Sequence, residues 1–244
     1  METEFIKNKV YYNIIDRTYT NSSGIYSLHK CTDAVKLAQV QKNIYNIKTD
    51  LNAQDLFIMN QVHGNDVVLA DNIDLKKQPQ ADASITTRPK VALGVLTADC
   101  VPVLFASDDG RVIGAAHCGW KSAKSNIITN VRKMMQDRGA NKIKAIIGPA
   151  IAQKSYEVDA KYYHDFISEG DEIKELFQPS NRENYFMFDL VGFVIKKLTK
   201  ENIELVHNIE EDTYSMPAKY PSYRRSCHNG EQYSQNILST IIIR

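Results

Sequence analysis

Two kinds of apolar spacing organise the chain. From Asp33 to Ile47, apolar residues fall at 34, 35, 37, 38, 40, 44 and 47. That period predicts a helix, with Thr32 or Asp33 as its cap. A second helix is expected over SAKSNIITNVRKMMQDRG, residues 122–139, where apolar positions 127, 128, 131, 134 and 135 share one face and Gly139 supplies the stop. AKYYHDFISEG and LVGFVIKKLTKEN read as two more helices. VALGVLT, VPVLFAS and RVIGAAH are instead continuous apolar runs rich in β-branched residues, and they read as buried strands. Asp108-Asp109-Gly110 joins the last two as a tight hairpin. FIKNKVYYNII, DLFIMN, DVVLA, IKAIIG, YFMFD, IELVHNI and NILSTIIIR supply further strands, and TNSSG at 20–24 is a loop. Strands are too many for simple βαβ alternation. The expected fold is therefore α/β: a single-domain layered sandwich of mixed β-sheets flanked by helices, over residues 1–244, rather than a doubly wound parallel sheet.

Composition narrows the function classes. A formal net charge of +1 gives no electrostatic case for nucleic acid or an anionic membrane as the main partner. No window approaches 18 apolar residues, so no membrane span is expected. The first residues lack a secretory pattern, and the four cysteines (Cys31, Cys100, Cys118, Cys227) form no C-x-x-C. Reduced thiols and a cytoplasmic location are expected.

Three polar residues stand out against the apolar runs. His63 lies in NQVHGNDVV, in a turn between two expected strands, with the Gln61 amide two residues earlier on the same face and Gly64 permitting close backbone approach. Cys100 closes VALGVLTADC beside Asp99. His117 ends RVIGAAH, where an imidazole is costly unless bonded or metal-bound. Strand alternation points Cys118 away from His117, into packing. Two imidazoles and a thiolate make a catalytic zinc set that leaves a fourth position for water or substrate. Cys100 and His117 also suit a nucleophile and base without metal. Among the other polar clusters, Glu157 and Asp159 are acid/base candidates or a cap for the following helix. Arg224 and Arg225 are adjacent, so on a strand only one faces a given pocket. A helix starting near Ser122 offers amides to an anion.

NQVHG, ADASITTRP, TADCVPVLFA, AAHCGW, GPAIAQKSYEV and SYRR occur in this order. Together they resemble the laccase-domain family, also called multicopper polyphenol oxidases or peptidoglycan editing factors, whose members include purine nucleoside phosphorylases with adenosine deaminase activity. The resemblance implies one metal site at His63, Cys100 and His117, an α/β sandwich, and zinc as the cofactor. Copper is the lesser alternative. The chain has six histidines, too few for the type 1 and trinuclear centres of a multicopper oxidase, and a lone blue-copper centre would need Met59 as axial ligand. The family's H-x-GWRG becomes HCGWKS, so Lys121 and Ser122 replace Arg and Gly. The N-terminal loop reads RTYTNSSG, His29 stands where Asn is expected, and a late Gly-Arg pair reads Gly230-Glu231.

The function implied is a zinc-dependent purine nucleoside enzyme. It would phosphorolyse adenosine, inosine or methylthioadenosine and deaminate adenosine. Zinc lowers the pKa of a bound water towards about 7, which suits attack on C6 of adenine. Arg17, Lys121 and Arg225 are the expected phosphate ligands, with Gln61 in the substrate site and Glu157, Asp82 or Asp99 as proton donor. Rival readings are a metal-free Cys-His hydrolase or amidase acting on a peptidoglycan precursor, a structural zinc closed by Cys118 or His228, and a copper-dependent phenol oxidase. The expected partners are a small purine nucleoside and phosphate, with the oligomeric state open.

Overall fold

The computed structural model describes residues 2–19, 24–26, 33–74, 77–167, 170–233 and 235–244. The first half of the chain runs β1 (Thr3–Ile6), β2 (Val10–Ile15), α1 (Ala34–Asp50), β3 (Asp55–Ile58), β4 (Val67–Leu69), β5 (Ala83–Thr86), β6 (Val91–Thr97), β7 (Val101–Ser107) and β8 (Ile113–Cys118). There follow α2 (Trp120–Lys124), α3 (Ile127–Asp137), β9 (Ile143–Ile147), β10 (Glu157–Asp159), α4 (Ala160–Ile167), β11 (Phe177–Pro179), β12 (Tyr185–Phe188), α5 (Leu190–Lys200), β13 (Glu204–Asn208), α6 (Tyr223–Asn229) and β14 (Ile237–Ile243).

The strands form two large mixed sheets. One is five-stranded in the order β1-β2-β14-β6-β3; the other is six-stranded in the order β13-β9-β7-β8-β5-β4. A small three-stranded sheet, β10-β12-β11, lies beside the helices. The expected α/β sandwich of mixed sheets flanked by helices is thus what the chain builds. Alternation along β7 shows why its run is apolar throughout. Leu104 and Ala106 pack with Phe57, Leu93 and Ile241 of the opposite sheet, whereas Val101, Val103 and Phe105 pack with α3 and α5 through Ile127, Val131 and Phe193. On the outer face of the five-stranded sheet, Ile47 of α1 packs against Leu56, Ala92 and Ile242. The order of layers is helix, sheet, sheet, helices.

Several local expectations change. The helix over 122–139 is two helices, because Asn126 adopts a left-handed φ of 65° between them. The apolar stripe begins only at Ile127, so nothing holds the first turn in line with the second. Gly139 does stop α3, at φ 91°. Arg224 and Arg225 lie on a helix, not a strand: the Ser222 hydroxyl caps α6 by accepting from Arg225 N at 3.1 Å. Asp33 caps α1, accepting from Lys36 N at 2.8 Å, and Asp159 accepts from Tyr162 N at 2.8 Å as a cap of α4. Thr32, His29, Cys31 and positions 20–23 of the N-terminal loop lie outside the described residues. Cys100, Cys118 and Cys227 are free thiols. No helix among the described residues is long and apolar enough to cross a membrane.

Candidate metal centre and its cavity

Two of the chain's passages between the sheets lie side by side at one end of the sandwich. β3 and β6 are parallel neighbours in the five-stranded sheet. After β3 the chain crosses through 59–66 to β4 of the six-stranded sheet; after β6 it crosses through 98–100 to β7. His63 sits in the first crossing and Cys100 in the second. His117 is on β8, opposite Pro102 at the start of β7. Residues 37 and 17 positions apart therefore meet because two sheet changes and one strand pairing end at the same place. Their ligand atoms lie within 4.8 Å of one another, and the two imidazoles meet edge to face at 4.7 Å between ring centres. His63 is exposed, Cys100 half-buried and His117 buried.

Asp82 stands behind this group with no exposed surface. Its Oδ1 lies 2.8 Å from His117 Nδ1. Its two oxygens also accept from the main-chain N–H groups of Val62 (3.1 Å), His63 (3.0 Å) and Gly64 (2.7 Å). It is His63, not Gly64, that takes a left-handed φ, at 61°. A Cβ at Gly64 would make only ordinary contacts, the nearest at 3.6 Å. Burial alone would raise the Asp82 pKa, but the His117 bond and charge and the backbone donors outweigh it and hold the carboxyl below its usual range.

Partial burial also works against ionising Cys100, but the His117 imidazole and then His63 overcome it and bring the thiol down to about 7. Burial opposes a charge on His117, yet Cys100 and Asp82 raise it to about 9. The pair therefore favours thiolate and imidazolium in the absence of metal. Cys118 points to the helical layer with Val101 and Ala123, and burial pushes its thiol up.

The residues fit a metal. A soft thiolate with two imidazoles is a zinc-type donor set. Space is kept beside them by Gly119, where a Cβ would come 3.0 Å from His63 Cδ2 and 3.1 Å from Cys100 Sγ. Among the described residues no fourth His, Cys, Asp or Glu joins the group. Cys118 faces away, and His228 is at the surface with its Nδ1 2.9 Å from the Tyr214 hydroxyl. Neither closes the site.

The three ligands open onto a cavity of about 690 Å³. Trp120, Lys121, Tyr156, Arg224, Tyr233 and Asn236 line it, with Asp99 and Met59 also on its walls. Of the substrate-binding residues predicted from sequence, Lys121 and Gln61 line this cavity. The Gln61 amide is committed to the backbone: it donates to Leu96 O at 2.7 Å and accepts from Leu96 N at 2.8 Å. Arg225 is turned away and donates to the carbonyls of Thr213, Tyr214 and Tyr220 at 2.8, 2.7 and 2.5 Å. Arg17 is exposed and donates to Pro217 O at 2.7 Å and Gln235 Oε1 at 2.9 Å. Burial and the Arg225 charge lower its pKa, against Glu231. The guanidinium on the cavity wall is that of Arg224, 4.9 Å over the Tyr156 ring and donating to Glu157 O. Among the described residues it has no carboxylate partner. The sequence names Arg225 as the phosphate ligand, but on the helix capped by Ser222 it is Arg224 that reaches the cavity wall, and Arg225 does not line it.

None of the three predicted proton donors is a free acid at the cavity. Asp82 is sealed behind His117. Both Asp99 oxygens are taken, by the hydroxyls of Thr213 (2.7 Å) and Ser222 (3.0 Å) and by Arg224 N (2.7 Å). Glu157 accepts from Ser180 Oγ at 2.5 Å and faces Arg182.

The chain is similar to proteins of known family along nearly its whole length. The family model described as multi-copper polyphenol oxidoreductase laccase matches residues 13–239. A Rickettsia conorii protein named purine nucleoside phosphorylase is 48% identical over 98% of this chain and 98% of its own. A Pseudomonas aeruginosa protein of the same name is 32% identical over 70% of this chain and 69% of its own. Among solved structures, a Neisseria meningitidis DUF152 protein superposes with a TM-score of 0.83 at 25% identity, covering 100% of this chain and 98% of that one. The order of motifs, the two-sheet architecture and these matches agree: the chain belongs to the multi-copper polyphenol oxidoreductase laccase family.

Proposed function

We propose that the protein is a zinc-dependent purine nucleoside enzyme that phosphorolyses adenosine, inosine or methylthioadenosine and deaminates adenosine. The observation that carries this reading is the joining of a His-Cys-His group to a cavity with aromatic walls and the Arg224 guanidinium, which has no carboxylate partner among the described residues. The names of the relatives support the purine nucleoside. Zinc held by His63, Cys100 and His117 would supply a Lewis acid and an acidified water at its open position.

The chain's own groups do the rest. Trp120 and Tyr156 offer flat apolar faces for a purine. Arg224 and Lys121 are the cavity-lining cations suited to phosphate, and Arg224 offers it a forked pair of donors. In phosphorolysis, a phosphate oxygen attacks C1′ while the C1′–N9 bond breaks. The bonding electrons leave with the base, which takes up the proton that the hydrogen phosphate gives up. In deamination, water oxygen replaces the 6-amino group and ammonia leaves. Arg17 and Arg225 brace the loops around the cavity in this reading, while Lys121 keeps its predicted role.

A second reading has its own observation. Cys100 and His117 lie side by side, with the thiol lowered to about 7 and the imidazole raised to about 9, which suits the nucleophile and base of a cysteine hydrolase. One experiment separates the two: metal content by elemental mass spectrometry on wild type and on His63→Ala, Cys100→Ala and His117→Ala, with adenosine and inosine turnover on the same samples. About one zinc per chain, lost with turnover in all three variants, is expected of an open three-ligand site. Full turnover without metal, lost only in the Cys100 and His117 variants, would sink the zinc reading in favour of the nucleophile.

A further inference from the structure

We propose that Asp82 is the positioning residue of the metal centre, a single buried carboxylate that sets both imidazoles. The inference rests on the metal reading given above and assigns a role to a residue that touches no substrate. Its effect on His63 runs through the backbone. Three successive N–H groups, of Val62, His63 and Gly64, converge on the carboxylate, an arrangement that forms a concave anion nest. The nest requires His63 to hold its left-handed φ of 61°, which a side-chain-bearing residue adopts only at a cost. Bonds to a desolvated carboxylate offset that cost and aim the ring at Cys100 and His117.

The effect on His117 runs through the ring. A carboxylate only accepts, so the contact of 2.8 Å fixes the proton on Nδ1 and leaves Nε2 as the ligand atom. The His117 main-chain N–H donates to Asp82 O at 2.8 Å as well, so both the strand and the ring are held to the same residue. Oδ1 is shared between His63 N and His117 Nδ1. The two ligands, 54 residues apart in the chain, are therefore set by one atom, and a displacement of Asp82 moves both. Among the described residues, Asp82 is the carboxylate that meets His117 Nδ1.

The test is zinc affinity, measured by chelator competition on wild type and Asp82→Asn, with the visible spectrum of the cobalt(II) forms. Asparagine keeps the shape but turns an NH2 towards N–H donors. Zinc binding should weaken by about ten- to a hundredfold, and the cobalt–thiolate bands should shift, while near-ultraviolet circular dichroism stays native. Unchanged affinity and spectrum in a folded variant would overturn the proposal and leave the metal reading intact. Wild type that binds no zinc would overturn the metal reading instead. Should the variant not fold, nitrogen-15 NMR of the wild-type histidines decides. His117 is expected with its proton on Nδ1 both with and without zinc, and a bare Nδ1 overturns the assignment.

Discussion

Gly119 stands where any side chain would occupy the space between the ligands. Its φ of −68° suits every residue, so the constraint is contact and not backbone strain. Gly119→Ala is expected to fold, with a cost of about 1–3 kcal/mol for overpacking, and to bind little or no zinc; chelator competition checks it, and wild-type affinity would refute it. The Cys100–His117 pair gives a pH signature in the metal-free protein. The Cys100 thiol is lowered from 9.0 to about 7, so its contribution to stability is complete above 9 and is lost as pH falls through 7. The His117 imidazole is raised from 6.5 to about 9, so its contribution is complete below 6.5 and is lost as pH rises through 9. As the His117 share fades with rising pH the Cys100 share grows, so the pair leaves the stability of the metal-free protein nearly level between about 7 and 9, and a sharp maximum there would refute these shifts. Iodoacetamide should alkylate Cys100 with a midpoint near 7, and zinc should protect it. A midpoint near that of an ordinary thiol would refute the pairing. Cys118, buried and shifted the other way, should stay unmodified in the native protein.

At the scale of elements, Gln61 matters as a clamp. It ties the first sheet crossing to the last turn of β6, just ahead of the second crossing. Gln61→Ala leaves the Leu96 N–H and C=O without these partners and should cost about 1–3 kcal/mol, read as a lowered urea midpoint. Retained stability with only a raised KM for nucleoside would instead make it a substrate ligand. Strands and helices were largely legible from the chain. Buried strands announce themselves by unbroken apolar runs, and caps such as Asp33 and Gly139 by residue type. The break at Asn126 was not, because Lys124-Ser125-Asn126 is as compatible with a helix surface as with a left-handed kink. Neither was the helix at Tyr223–Asn229, whose seven residues carry no apolar period and no buried side chain.

Across the whole molecule, sheet order was the part that sequence left unwritten. DLFIMN and DVVLA look like two arms of a hairpin, yet they belong to opposite sheets. Nothing local distinguishes a turn that returns within a sheet from one that passes to its partner, since both are short and polar. His63, Cys100 and His117 could be singled out because each interrupts an apolar pattern. Asp82 could be seen only as an acid in a strand-leading segment, because its partners are backbone groups that no sequence displays. A metal held by His63, Cys100 and His117 would tie both crossings between the sheets to β8, so its removal should loosen the sandwich at that end. At free zinc a hundredfold above Kd, linkage gives about 2.7 kcal/mol, so chelation should lower Tm by several degrees in a thermal scan. An unchanged Tm after verified metal loss would mean that the ligands do not brace the fold.

The brevity of the second crossing has a consequence for how chain length can vary. Three residues, 98–100, separate β6 from β7. An extra residue there must either carry Cys100 away from the histidines or slip β7 by one place, which turns Val103 and Phe105 from the helical layer to the sheet interior. The hairpin at Asp108–Gly110 lies at the other end of β7, about 20 Å away at 3.3 Å per residue, and carries no such constraint. Insertions and deletions among natural homologues should accordingly accumulate at the hairpin end, and the stretch from Thr97 to Val101 should keep one length.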